Sequence, residues 1–455
     1  MPTKRTILAA GMDRVEDRLL SERLAKIVEM TLIAAGLLVL FFCLSFDVTG
    51  DGYIRFRALR RLVNAERVVS MSYSMMGPMF ALVLWPLGKV YQSAEWWIAR
   101  FNFFVFAGGL FLFYRLLRDH LDRRTVRMFL LILIMGSMFP NHLKDFYGEV
   151  FTAMLVGVGI LATQLGHPRW GWGSVVVGAA NQPASLVGLG AIGFSETTTR
   201  KRFRFLLVPV AGALIYSAES WIRRGSPWAS GYEGNAGAQT ILTYSGEPGF
   251  SYPLFFGVLS LLFSFGKGLV FFAPGLWLTF GREVRSLAEK LARSYRLWLW
   301  FLAGLLLVYA KWWSWYGGWT WGPRFLLFAS IPAALALAVS LAHRTVSFGK
   351  NLALLVVLAL SFWVGVSGAV YGLGGLEDCR AADYEFLCWY VPEFSVLWRP
   401  FVVGPQLDGR QTVLVAYALV VFGYLAVPVL GRLRKAAGEE LSSAVSTLRS
   451  RPWGF

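Results

Sequence analysis

The sequence predicts an all-α, polytopic integral membrane protein with about 11–13 transmembrane segments and surface helices in its first outer loop. Three observations carry this. Hydrophobic residues make up 56% of the 455 positions and charged residues only 16%, against roughly 25% charged in soluble domains. The mean hydropathy is +0.53. The excess of 44 Lys and Arg over 27 Asp and Glu, formally +17, is concentrated between apolar runs rather than on a soluble domain. The apolar load excludes disorder, and 3 cysteines exclude a disulfide scaffold. With no soluble domain to carry a basic surface, the pI near 10.0 points to membrane lipids and not to nucleic acid.

The segments follow from length and charge. A hydrocarbon core of about 30 Å needs roughly 20 apolar residues per helix. The first span is 27–46, preceded by a leader, 1–26, whose lysines and arginines place the N-terminus in the cytoplasm. The stretch 75–91 contains Pro78 and Pro86. If it crossed, the five arginines of 115–127 would face outward, so it is read as lying on the outer surface. Further spans fall near 97–117, 128–141, 150–165, 205–220, 266–280, 297–313, 325–342, 352–372 and 413–430, with a hairpin of two short helices over 173–194 broken at Asn181-Gln182-Pro183. The membrane domain is thus 27–430, its outer loops 47–96, 141–149, 221–253 and 374–411, and its cytoplasmic tail 431–455. Cys379 and Cys388 share the last outer loop and are expected to pair as a disulfide in an oxidising compartment.

Four clusters carry charges that this topology does not need. The first runs from Asp47 through Thr49 and Asp51 to Arg55 and Arg57, continuing to Arg60, Arg61 and Arg67 at helical spacing. Outward arginines grip anionic headgroups or a phosphate ligand, and the aspartates offer a general base; a plain helix-capping turn is the alternative. The second is His142, Lys144, Asp145 and Glu149 in one short loop, with Glu149 also explicable by the helix dipole. The third is the Trp-rich run from Lys311 to Arg324, where Trp315, Tyr316 and Trp319 suit sugar rings or, equally, an interfacial belt. The fourth is Lys267 between Gly266 and Gly268, a helix break with an ammonium at the interface. No HExxH, GxSxG, P-loop or paired CxxC accompanies them, so chemistry is expected at the outer face. A lipid or polysaccharide transporter is the alternative. It would want ionisable residues in mid-membrane, where only Asn181, Gln182 and Glu219 come near.

Three stretches resemble a family. Thr49-Gly50-Asp51-Gly52, the run from Phe263 through Gly266-Lys267-Gly268 to Pro274, and Trp315-Tyr316-Gly317-Gly318-Trp319-Thr320-Trp321-Gly322-Pro323-Arg324 are similar to segments of bacterial-type GT-C glycosyltransferases. The similarity extends to the layout up to about Ala342. Gly52 departs from it, since many relatives carry a second acid beside the aspartate, and this leaves the choice between Asp47 and Asp51 open.

The resemblance implies an inverting transferase that moves a sugar from a polyprenyl-phosphate donor to a hydroxyl of a glycan, lipid or protein acceptor at the outer face. Asp51, or else Asp47, is then the base. Arg324 and Lys267, with Arg55 and Arg57 in reserve, meet the leaving phosphate. Glu149, Asp145 or His142 orient the acceptor. Gly50 and Gly52 would let substrate approach Asp51 closely, and breaks near Pro183 and Lys267 would leave a groove for the prenyl tail. No metal cofactor is expected.

Overall fold

A computed structural model describes residues 4–66, 68, 73–237, 239, 245–343, 347–374, 376, 379, 384–404 and 406–450, with side chains described between 22 and 439; Arg67 lies outside them. The longer helices are α1 (Lys4–Cys43), α2 (Gly50–Val63), α3 (Phe101–Leu117), α4 (Arg123–Met135), α5 (Glu149–Gln164), α6 (Pro168–Ala180), α7 (Ser185–Arg200), α8 (Leu207–Arg224), α9 (Leu254–Phe263), α10 (Glu289–Lys311), α11 (Ser330–Ala342), α12 (Phe348–Val366) and α13 (Gly409–Ser450). The only extended pairing among the described residues is an isolated bridge between Asp47 and Asp145.

Six helical stretches are long and apolar enough to cross a membrane: Glu22–Cys43, Phe203–Arg224, Glu289–Lys311, Arg324–Ala342, Phe348–Tyr371 and Gly409–Glu439. The chain is therefore a polytopic, all-helical membrane protein. Shorter apolar helices, Phe101–Leu117, Glu149–Gln164 and Leu254–Phe263, add to these. The span expected over 128–141 stops at Met135, and the chain resumes as the short helix Phe139–His142. The span expected over 266–280 divides into Leu269–Phe272 and Pro274–Leu278, and its apolar helix lies earlier, at α9. Such short pieces are sheltered by neighbouring helices, which need not each span the hydrocarbon thickness. The hairpin appears as α6 and α7, and 75–91 appears as two short helices, Met76–Ala81 and Leu82–Lys89. Leader and tail are not separate helices. α1 runs through the expected boundary at 26 and α13 through that at 430.

The centre of the bundle is α11, buried over 89% of its apolar window and packed against α4. Trp298 of α10 is fully buried beside Phe113 and donates its indole N–H to the Gly157 carbonyl at 3.0 Å, satisfying the one polar atom of a large apolar anchor. By contrast α8 is only 17% buried and presents Leu207, Leu214 and Ile222 outward, a face that needs hydrocarbon. The segments read as outer loops gather at one end of this bundle, where Asp47 donates its backbone N–H to the Lys144 carbonyl at 2.9 Å and Gly266 likewise bonds Trp389 at 2.9 Å.

Candidate active site

The site is assembled from two helix N-termini and one glycine-rich turn. Asp51 lies in the first turn of α2 and Glu149 in the first turn of α5, positions where the helix dipole favours a carboxylate. Between Trp319 and Arg324 the chain reverses after Gly317 and Gly318, both at positive φ (80° and 73°), which a side chain would oppose. The turn aims Arg324 back at both acids. Its Nη1 donates to Oδ2 of Asp51 at 2.6 Å, while its Nε lies 3.8 Å from Oε1 of Glu149. The Tyr73 hydroxyl donates to Oδ1 of Asp51 at 2.6 Å. Burial pushes the Asp51 carboxyl up, but Arg324, Tyr73 and Arg55 outweigh it and hold it below the usual carboxylate range.

The glycines around Asp51 serve the fold. Gly50 faces the Tyr147 hydroxyl, and a Cβ at Gly52 would stand 3.2 Å from the Phe146 backbone. The expected close approach is thus that of the 145–147 loop, not of substrate. Gly148 makes room in the same way for the Arg55 guanidinium and the Asn181 amide. Asn181 accepts from Gly77 N–H at 3.0 Å and donates to the Gly148 carbonyl at 2.9 Å, tying the break between α6 and α7 to the site.

A cavity of ≈240 Å³ opens here, lined by Asp51, Arg55, Glu149 and Arg324 and walled by aromatic rings. Those rings are Tyr232, Tyr309, Trp312 and Trp313, not the expected Trp315, Tyr316 and Trp319. Trp315 is 1% exposed and packs on Trp389 and Tyr390, and Tyr316 stacks on Trp389 with centroids 3.8 Å apart. Trp319 packs against the core beside them. Cys379 and Cys388 form a disulfide in the loop that carries Trp389. Four buried polar atoms of cavity-lining residues find no hydrogen-bond partner among the described residues: Arg55 Nε, Glu149 Oε2, Trp313 Nε1 and Arg324 Nε.

Other expected residues lie elsewhere. Lys267 is buried and donates to the carbonyls of Thr320 (2.6 Å) and Gly322 (3.1 Å), so it braces the turn that presents Arg324. Asp47 is exposed outside the cavity, its carboxylate accepting from Val48 N–H at 2.7 Å. Arg57 is exposed on the far side of α2. Asp145 accepts from the Thr49 hydroxyl at 3.3 Å and is pushed up to about 6 by burial. His142 is buried against Trp321, and burial with the surrounding cations brings it down to about 3, so it is neutral. Lys144 donates to the Gly368 carbonyl at 2.8 Å and is lowered to about 8 by burial.

Sequence reasoning missed Tyr73 and Tyr232. Tyr73 is held by Glu219 and Arg223: Glu219 accepts from Ser74 Oγ and Met75 N–H, each at 2.6 Å, and Arg223 donates to the Tyr73 carbonyl at 2.8 Å. Glu219 at the end of an apolar run was the available signal. The two helix breaks where a groove is expected, near Pro183 and Lys267, lie at the charged cavity and behind the turn that carries Arg324. Pro183 lines the charged cavity, and a separate apolar groove of ≈360 Å³ runs between α3 and α5, past Phe80, Phe104, Gly108 and Leu155.

Fold and site together define a helical membrane protein with a carboxylate–guanidinium pair in an aromatic-walled cavity at one end. No family model matches the chain, and no curated protein matches it. Among solved structures it is similar to ArnT from Cupriavidus metallidurans bound to undecaprenyl phosphate, with a TM-score of 0.48 and 14% identity over 91% of this chain and 78% of that one. The apo structure of the same protein gives a TM-score of 0.48 and 12% identity, over 88% and 77%.

Proposed function

We propose that this chain is a membrane glycosyltransferase of the GT-C type, moving a sugar from a polyprenyl-phosphate donor to an acceptor hydroxyl with inversion. The observation that carries this reading is the Asp51–Arg324 pair at the mouth of a cavity in an otherwise apolar bundle. A base and a phosphate ligand are there already in contact, and each holds the other in check.

The donor phosphate, on entering, competes with Asp51 for Arg324, and Arg55 stands beside it as a second cation. Asp51 then loses the partner that depresses its proton affinity and becomes a better base. It takes the proton of the acceptor hydroxyl as that oxygen attacks the anomeric carbon. The bond from the anomeric carbon to the phosphate oxygen breaks, and polyprenyl phosphate leaves with the electron pair, met by Arg324 and Arg55. Tyr73 orients the Asp51 carboxylate. Glu149 Oε2 and Trp313 Nε1 supply an acceptor and a donor for sugar hydroxyls, and the aromatic walls supply faces for the ring. The groove between α3 and α5 takes the prenyl chain. Because arginines meet the leaving charge, the reaction is proposed to run without a metal. The site is placed at the outer face of the membrane, with both termini on the cytoplasmic side.

The test is direct transfer. Purified protein is incubated with a radiolabelled polyprenyl-phosphate sugar and a membrane extract as acceptor source. Release of free polyprenyl phosphate, unaffected by chelator, is expected. Labelled donor returned intact from a panel of donor sugars would overturn the reading.

A further inference from the structure

A second group of charges lies at the far end of the helices that build the Asp51 site. α5 runs from Glu149 at that site to Gln164, α6 returns from Pro168 to Ala180, and α7 runs back from Ser185 to Arg200 over 16 residues, roughly 24 Å. Gln164, Pro168 and Arg200 line a cavity of ≈520 Å³ that shares no residue with the first.

Its cations outnumber its acids. Arg169, Arg200 and Arg204 line it against a single lining carboxylate, Glu196. Glu196 is 1% exposed and is already divided between Arg200, whose Nε lies 2.9 Å from Oε2, and Arg293 of α10, whose Nε donates to Oε1 at 2.8 Å. The Arg200 contact is ionic but out of line for a hydrogen bond. Arg200 Nε and Glu196 Oε2 are both buried without a hydrogen-bond partner among the described residues, as is Arg293 Nη2. Arg200 Nη2 is fixed by the buried Gln164, whose Oε1 accepts at 2.7 Å. Arg200 and Arg204 both lie over the Phe205 ring, 5.4 and 5.3 Å from its centroid, so two like charges are held against one ring. Arg169 and Arg204 are exposed and have no carboxylate partner among the described residues. Arginines gathered at a membrane surface by topology alone need neither a shared buried carboxylate nor a cavity. Trp172 and Phe205 wall one side, their rings 5.9 Å apart. Leu207, 66% exposed, opens the cavity onto the outward apolar row Leu207, Val210 and Leu214 of α8.

We infer that this cavity is a binding site for a phosphate group, entered from the apolar side. Converging guanidiniums match its oxygens in charge and in fork geometry, and the apolar row leading away matches acyl chains. The head of an anionic phospholipid satisfies both halves; a free phosphate offers the same oxygens without the chains. Arg169, Arg200 and Arg204 are then the ligands, and Glu196 and Gln164 hold Arg200 in place. The inference does not depend on glycosyl transfer at the other end.

The test uses the full chain, delipidated in neutral detergent, with binding followed by native mass spectrometry and thermal unfolding. The probes are short-chain phosphatidylglycerol, phosphatidylcholine of equal chain length, and inorganic phosphate against chloride at matched ionic strength. Expected is retention of phosphatidylglycerol over phosphatidylcholine, weakened about fivefold in Arg204→Gln and in Arg169→Gln. Arg202→Gln removes the same charge from the neighbouring surface outside the cavity and should leave retention unchanged. All three arginines are exposed, so these variants keep the fold. If phosphate also raises the unfolding temperature and displaces the lipid, the oxyanion alone suffices; if only the lipid raises it, the site is a headgroup site. Equal retention of the two lipids with no phosphate effect would overturn the inference. So would undiminished retention in Arg204→Gln and Arg169→Gln, or an equal loss in Arg202→Gln, which marks a diffuse basic surface.

Discussion

Arg324 and Asp51, 273 residues apart in sequence, meet at 2.6 Å and form the contact on which the site is built. Neither residue is fully buried, with side chains 11% and 22% exposed, and both open onto the cavity. The pair is therefore accessible to a ligand that can take one partner from the other.

Replacing Arg324 by alanine removes the proposed principal phosphate ligand. A charge-assisted hydrogen bond contributes about 1.5–3 kcal/mol, so donor affinity should fall roughly 10- to 100-fold. Arg324→Lys keeps the charge but loses the fork, and should recover only part of the loss. Titration of the purified variants with polyprenyl phosphate checks this; unchanged affinity in Arg324→Ala would reduce the residue to a partner of Asp51.

Lys267→Met tests the brace. The Thr320 and Gly322 carbonyls would lose their shared donor, costing on the order of 1–3 kcal/mol. A lowered unfolding temperature is expected, together with weaker donor binding because the turn presenting Arg324 loosens. A variant with full stability and a selective loss of phosphate binding would return Lys267 to the role of ligand.

These two arginine and lysine positions show what was legible in the sequence. Arg324 beside Gly322, and Asp51 beside Gly50, announced themselves as charges next to hydrocarbon with no topological reason to be there. Their partners did not, because pairing depends on turns that bring distant segments together: Lys267 reads as a phosphate ligand until its two backbone acceptors are seen. Trp315 and Tyr316 misled for a related reason. Aromatic composition marks an apolar surface, but only the loop carrying Trp389 decides which rings are covered. Helix count suffered similarly, since Lys267 and Pro274 interrupt what hydropathy alone reads as one span. Glu29, buried inside the first apolar run, escaped notice because its partners Arg124 and Arg127 lie in a loop-flanking segment assigned to topology.

The apolar groove gives a prediction about chain length. A Cβ on Gly108 would meet nothing within 4 Å, so Gly108→Leu fills the groove without disturbing α3. Affinity for a long-chain polyprenyl phosphate should fall severalfold while that for a short-chain analogue holds. Equal loss for both, or none, would take the tail elsewhere.

Asp145 predicts a pH dependence of stability. Burial raises its carboxyl from 3.8 to about 6 in the folded protein, which therefore binds this proton more tightly than the unfolded chain does. Its contribution is present below pH 3.8 and is lost as pH rises through about 6. Asp145→Asn should be more stable than the parent at pH 7, on the order of 2–3 kcal/mol, with the advantage closing towards pH 4. Thermal unfolding at the two pH values measures it, and a pH-independent difference would contradict it.

The most direct measurement compares Asp51→Asn with Asp47→Asn in the transfer assay, each alongside donor binding. With Asp51 as the base, Asp51→Asn loses roughly 10²–10⁴-fold in turnover. It still binds polyprenyl phosphate, and tighter than the parent, because Arg324 no longer has a carboxylate competitor. Asp47→Asn, altered outside the cavity, transfers as the parent does. Full turnover in Asp51→Asn with loss in Asp47→Asn would contradict the assignment.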